Sequence, residues 1–181
     1  MSRLTSVETI KAAKDSIEKS EGKLDVLVNN AGKVWLSYTE ELINQNTTTI
    51  LRTGIGTFGK DQNASTADVS AIRDCLEVNL IGLVQTTAMF LPLLRASPQA
   101  VILNMSTEMA SNSLQAGPNA RIHVVVYNTS KAAANSYTIM LAQELKKEGI
   151  KVNAVTPGFM MSKLNNFHVG GKTVETRCGN T

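Results

Sequence analysis

The chain has 181 residues, of which 43% are hydrophobic and 18% charged, with a formal net charge of +3. Such a length and balance describe one globular domain with room for a sizeable core. So mild a charge, with no basic run and no basic-aromatic interleaving, argues against a nucleic-acid partner. No apolar run is expected to reach the length of a membrane span, and the N-terminus lacks the apolar core of a signal peptide, so no membrane role is expected. Cys75 and Cys178 are far apart and unpatterned, as reduced thiols are, which sets the expected location in the cytoplasm. His123 and His168 form no metal-ligand spacing, so no metal site is expected. Sequons at Asn46, Asn63, Asn104 and Asn128 are read as chance matches.

In chain order, residues 7–21 (VETIKAAKDSIEKSE) predict an amphipathic helix with Val7, Ile10, Ala13 and Ile17 on one face. Ser6 is its expected N-cap, Thr9 breaks the ideal capping box, and Gly22 closes it. LDVLVNN follows as a short apolar run, expected to be a strand buried on both faces of a parallel sheet. It ends in Asn29, Asn30, Ala31 and Gly32, residue types that tolerate a turn.

The stretch 36–67 is polar and without period, and is expected as an irregular loop insertion. Within it Gly54-Ile55-Gly56-Thr57-Phe58-Gly59 matches the dinucleotide fingerprint G-x-G-x-x-G letter for letter. That fingerprint works when a strand feeds it and a helix starts inside it, so that the helix N-terminus meets the pyrophosphate. Here KDQNAST follows, so the match is read as a loop over the active-site side.

A second long helix is predicted from Thr66 to Arg95, with Val69, Ile72, Leu76, Leu80 and Leu83 in register and Pro92 near its end. AVILNMS, ending at Ser106, is the next expected strand. A long connection through SNSLQAGPNARIHV then leads to the third helix, headed by Tyr127 and Lys131. Four residues apart, phenol and ammonium share one helix face. A nearby positive charge favours phenolate, so Lys131 is expected to pull the Tyr127 pKa down from about 10 towards neutrality. That would make Tyr127 a general acid/base near neutral pH. The plainer alternative is that any helix can carry Tyr and Lys at this spacing. Ala132, Ala133 and Ala134 admit close backbone approach, and KVNAVTPG reads as a short strand leaving through a Pro-Gly turn.

YNTSK followed by a helix and VNAVTPG, with NNAG after a DVLV strand, resembles the short-chain dehydrogenase/reductase family. The resemblance runs from about Val7 to about Glu175. It implies an α/β fold, a partial Rossmann-type doubly wound parallel sheet in three α/β/α layers. It also implies one domain over 1–181, lacking the first βαβ cofactor unit and the last strand and helix. The implied activity is NAD(P)-dependent hydride transfer between nicotinamide and a small carbonyl or alcohol substrate, with NADP(H) slightly favoured.

By the same resemblance Tyr127 exchanges the oxygen-bound proton, and Lys131 lowers its pKa and binds the nicotinamide ribose. Asn79, in EVNLIG, offers a backbone carbonyl to a proton-relay water. Thr107 occupies the substrate-holding slot of N-x-S-S, where the family has serine; Ser106 would serve only if the register shifts. Asn30, Ala31 and Gly32 lie against the adenosine ribose, and Pro157, Gly158, Met160 and Ser162 meet the carboxamide. A homo-oligomer is implied, packed through the helices of Asn79 and Tyr127. The departure is the absence of the family's glycine-rich turn before NNAG. It leaves an alternative, a truncated non-catalytic relative or fragment acting through binding or assembly. It also leaves LDVLV as an apolar sheet edge, for which poor solubility or obligate association is expected.

Overall fold

Ser6 and Gly22 delimit the first helix, α1 (Val7–Glu21), as their side chains dictate. The Ser6 hydroxyl accepts the Thr9 N–H at 3.4 Å, and Gly22 takes a left-handed φ of 68° that a β-carbon would strain. The computed structural model describes residues 6–33, 63–118, 120, 124–158, 160, 172 and 173. The glycine-rich stretch 54–59, Ser162, both histidines and Cys178 lie outside the described residues.

After α1 come β1 (Val26–Asn29), α2 (Val69–Leu76), a π-helical turn (Glu77–Ile81) and α3 (Gly82–Arg95). Then follow β2 (Val101–Met105), α4 (Asn112–Gln115), α5 (Val125–Leu145) and β3 (Lys151–Val155). The second long helix starts three residues later than expected, because Asp68 caps it by accepting the Ser70 N–H at 2.8 Å. The three strands are parallel in the order β1-β2-β3, with Leu27 beside Ile102 and Ile102 beside Val152. Helical connections between parallel neighbours are the mark of the α/β class. The fold is thus the expected Rossmann-type α/β arrangement.

Leu27, Ile102 and Val152 point into one core with Ile10 of α1, Phe90, Leu93 and Leu94 of α3, and Leu141 and Leu145 of α5. Each such side chain removed from water contributes about 1.5–3 kcal/mol, which is why these helices clasp the same sheet face. The expectation of burial on both faces of β1 is corrected. Leu27 and Asn29 are buried, whereas Val26 and Val28 are 49% and 50% exposed. The three helices that share the core all meet the Leu27 face, so the described residues form one of the two helical layers around the sheet. Among the described residues β1 is an edge strand.

A second expectation also changes. Val69–Arg95 is a continuous helical run of 27 residues, long and apolar enough by length and composition to cross a membrane. In this fold Leu83, Phe90, Leu93 and Leu94 of that run are buried in protein.

Across the same core face runs a row of buried polar groups. Asn29 and Asn104 are register partners on β1 and β2, and Asn29 Nδ2 donates to Asn104 Oδ1 at 2.8 Å. Asn29 Nδ2 also donates to Thr87 Oγ1 of α3 at 3.0 Å, and Asn104 Nδ2 donates to Thr138 Oγ1 of α5 at 2.9 Å. Thr138 passes its own proton to the Ala134 carbonyl at 2.7 Å. Four elements are tied in one layer, immediately below the strand ends that carry the site.

Candidate active site

The buried stripe of α5 is Tyr127, Ser130, Lys131, Ala134, Thr138, Leu141 and Leu145, spaced by three and four residues. Its lower half packs on the sheet; its first turns bring Tyr127 and Lys131 to the carboxyl ends of the strands. Tyr127 is 9% exposed and Lys131 3%. A buried ammonium needs a partner, and Lys131 Nζ donates to the Met105 carbonyl, at the end of β2, at 2.7 Å. It stands 6.0 Å from the centroid of the Tyr127 ring.

The turn after β1 closes over the same ammonium. A β-carbon built on Gly32 would lie 3.6 Å from Lys131 Nζ and 3.7 Å from Asn79 Oδ1, so a side chain here would fill the space beside the charge. Asn79 sits in the π-helical turn and is 1% exposed. Its Oδ1 accepts the Lys33 N–H at 2.7 Å, and its Nδ2 donates to the Lys33 carbonyl at 2.8 Å. An extra residue in one helical turn is a common device at functional sites, and here it accompanies an inward asparagine gripping the turn. Asn30 and Ala31 are exposed beside it.

At the end of β2 the two hydroxyls part. Ser106 Oγ donates to Asn135 Oδ1 of α5 at 2.6 Å, and its N–H bonds the Val155 carbonyl at 2.8 Å. Thr107, in extended conformation (φ −152°, ψ 152°), caps the short helical turn Glu108–Ala110 by accepting the Met109 N–H at 3.3 Å. Its hydroxyl proton therefore points the other way, free of that bond. Beyond β3, Pro157 and Gly158 leave at the same end of the sheet, Gly158 with φ 77°, and Met160 pairs in an isolated parallel bridge with Lys172. Tyr127, Lys131, Asn79, Gly32 and the end of β2 are thus brought together; Ser162 lies outside the described residues.

The expected electrostatics of the pair are reversed. Burial pushes the Tyr127 phenol up to about 12, with Cys75 adding to the rise. Burial pushes the Lys131 ammonium down to about 8, against a smaller opposite effect of Cys75. Spacing along a helix predicts that two groups meet, but the loss of water around both is the larger influence here. Several residues around the site were given no role in the sequence reading, namely Ser130, Asn135, Thr87 and Thr138, while Asn29 and Asn104 entered it as members of the NNAG and N-x-S-S motifs. Period-two alternation in VLVN and VILNM would have placed Asn29 and Asn104 inward with Leu27 and Ile102.

Helices on a parallel sheet, with a buried phenol and ammonium where the strands end, define an α/β protein of the Rossmann type, a fold whose ligands sit at that edge. The chain belongs to the short chain dehydrogenase family, whose model matches residues 3–169. It is 32% identical over 176 residues to a short-chain dehydrogenase of Penicillium roqueforti, covering 93% of this chain and 58% of that protein. It is 26% identical over 212 residues to salutaridine reductase of Papaver bracteatum, covering 93% of this chain and 67% of that one. In fold it is similar to NADPH-bound carbonyl reductase from chicken fatty liver, with a TM-score of 0.72 at 21% identity, covering 97% of this chain and 64% of that one. The chain spans 58% to 67% of the length of these curated relatives.

Proposed function

We propose that this chain carries the catalytic half of an NAD(P)-dependent reductase that interconverts a small carbonyl compound and its alcohol. The observation that carries this reading is Tyr127 and Lys131 buried together beside the Gly32 turn. The residues present fit the cofactor, because Gly32 leaves room against the Lys131 ammonium where a side chain would stand. Asn30, Ala31, Gly32, Tyr127 and Lys131 would hold its ribose portions, and Pro157, Gly158, Met160 and Ser162 its carboxamide. When bound, the nicotinamide supplies or takes up the hydride at the substrate carbon. NADP(H) is proposed ahead of NAD(H), because solved members of the family carry NADP or NADPH.

The chain's own part is proton transfer and orientation. In reduction the Tyr127 hydroxyl gives its proton to the substrate oxygen and is left as phenolate, to be reprotonated from solvent. Lys131 holds positive charge 6.0 Å from the centroid of that ring and stabilises the phenolate as it forms. The Thr107 hydroxyl donates to the same substrate oxygen, and the Asn79 turn lines the route for the returning proton. Exposed Ile81, Ile139 and Met140, on the helices of Asn79 and Tyr127, offer apolar surface for a homo-oligomer.

The two hydroxyls of β2 separate by mutation. Thr107→Val should lower kcat/KM by about 100-fold, the loss of one donor to a developing charge. Ser106→Ala should stay within about threefold, because its proton already belongs to Asn135. The reverse order would assign the substrate to Ser106.

The pH dependence follows from the two buried groups. With a pKa near 12, Tyr127 keeps its proton throughout neutrality and is ready as an acid. Lys131 is charged below about 8 and neutral above it. Reductive turnover should therefore be flat at neutral pH and fall as pH rises through the Lys131 pKa, when phenolate loses its counter-charge. Lys131→Arg, charged at every accessible pH, should remove this fall. Steady-state kcat over about pH 6 to about pH 10 against a panel of ketones and aldehydes tests it; kcat rising through that window would overturn the assignment.

A further inference from the structure

Ser130 precedes Lys131 on the buried stripe of α5 and is 0% exposed. Its hydroxyl has one proton, which it donates to the Tyr127 carbonyl at 2.8 Å. Towards Asn79 it can then act only as an acceptor, and Asn79 Nδ2 donates to it at 2.8 Å. The other Nδ2 proton goes to the Lys33 carbonyl, and Oδ1 takes the Lys33 N–H. Both protons of the Asn79 amide are thus engaged.

The polarity of this chain of bonds matters. A flipped Asn79 amide would set Oδ1 against the Lys33 carbonyl and NH2 against the Lys33 N–H. Each contact would bury two like partners without a hydrogen bond, which is costly in a dry interior. The Lys33 backbone thus selects the amide orientation, and Ser130 holds the amide in place by accepting its remaining Nδ2 proton. From its position next to Lys131, the same helix meets the turn twice, through Asn79 and through the ammonium that faces Gly32.

We infer that Ser130 is a positioning residue that, through the Asn79 amide, fixes the Asn30–Lys33 turn against the Lys131 ammonium. The inference deepens the proposed function and rests on it for its consequence, a cofactor ribose site with one rigid wall. The clasp itself is testable without cofactor.

Amide hydrogen exchange at Lys33 in the full chain reads the clasp directly. In Ser130→Ala the Lys33 amide should exchange at least about tenfold faster, while Ile102 in the sheet core is unchanged. In an Asn79→Ala background, adding Ser130→Ala should give no further acceleration, because serine acts through that amide. Should Ser130→Ala fail to fold, Ser130→Cys, a weaker partner of similar shape, decides by the same two criteria. Unchanged Lys33 exchange, or a Ser130 effect that persists without Asn79, would overturn the inference. In turnover, KM for NADPH should rise about fivefold or more in Ser130→Ala, with kcat within about twofold. A chain that binds no cofactor yet shows the Lys33 response keeps the clasp and loses the proposed function. Cofactor binding without the Lys33 response does the opposite.

Discussion

Tyr127→Phe lowers reductive turnover by about 100- to 10,000-fold and weakens cofactor binding far less. The substitution removes one oxygen from a ring that is already 9% exposed, so packing around α5 survives. What disappears is the proton that the substrate oxygen receives. Lys131, anchored through one of its three protons to the Met105 carbonyl at 2.7 Å, serves as the counter-charge of the phenolate rather than as the proton donor. Thr107 can still donate a hydrogen bond to that oxygen, but an aliphatic hydroxyl, a weaker acid than a phenol, does not give up its proton. The loss should therefore fall on kcat, with KM little changed, since the phenol's interaction grows in the transition state. NADPH consumption and nicotinamide fluorescence, measured on the same preparation, separate the two quantities. A fall in kcat of less than about tenfold would remove Tyr127 from the proton-transfer role.

The largest effect on stability is expected at Asn104, which is 2% exposed at the centre of the polar row. Asn104→Ala takes away the acceptor of the Asn29 amide and the donor to Thr138, and leaves a cavity between sheet and α5. Asn29 keeps its bond to Thr87 and Thr138 its bond to Ala134, so neither partner is wholly orphaned. One buried donor left unpaired and a side chain lost from a close-packed layer together cost about 2–4 kcal/mol. Asn104→Leu should be no better, because filling the space leaves the Asn29 donor facing hydrocarbon. Val26→Ala, on the half-exposed face of the neighbouring strand, should cost less than about 1 kcal/mol. Urea unfolding of the three variants at one pH orders them; an Asn104→Ala cost as small as that of Val26→Ala would contradict the role of the row.

That row also marks where sequence reading stops. α1 and α5 were legible because their signals are local: Ser6 and Gly22 at the ends of one, and Tyr127 and Lys131 four residues apart before Ala132, Ala133 and Ala134 in the other. The asparagine row depends on Asn29 and Asn104 falling opposite one another across two strands 75 residues apart in sequence, which no local pattern reports. The one-sided burial of β1 was illegible for a related reason. VLV reads the same whether helices cover one face or two, and the answer lies in elements distant along the chain.

In the site, resemblance placed Tyr127, Lys131, Asn79, Gly32 and Thr107 together at the strand ends, and the geometry brings them there. Its electrostatic corollary did not follow. Proximity of a cation was legible from the four-residue spacing, whereas the burial that raises Tyr127 and lowers Lys131 is a property of the assembled layers. The partner of Ser106 likewise comes from Asn135, eight residues past Tyr127, whose side-chain carbonyl accepts the serine proton. The different hydrogen bonding of two adjacent hydroxyls is thus set from another helix.

The account rests on a cofactor site formed by the Gly32 turn and Lys131 in this chain. Titration of the purified 181-residue protein with NADPH and with NADH, following nicotinamide fluorescence, tests that directly. Saturable binding that disappears in Lys131→Ala is the predicted result. Absence of saturable binding at millimolar concentrations of either cofactor, in a folded protein, would contradict it.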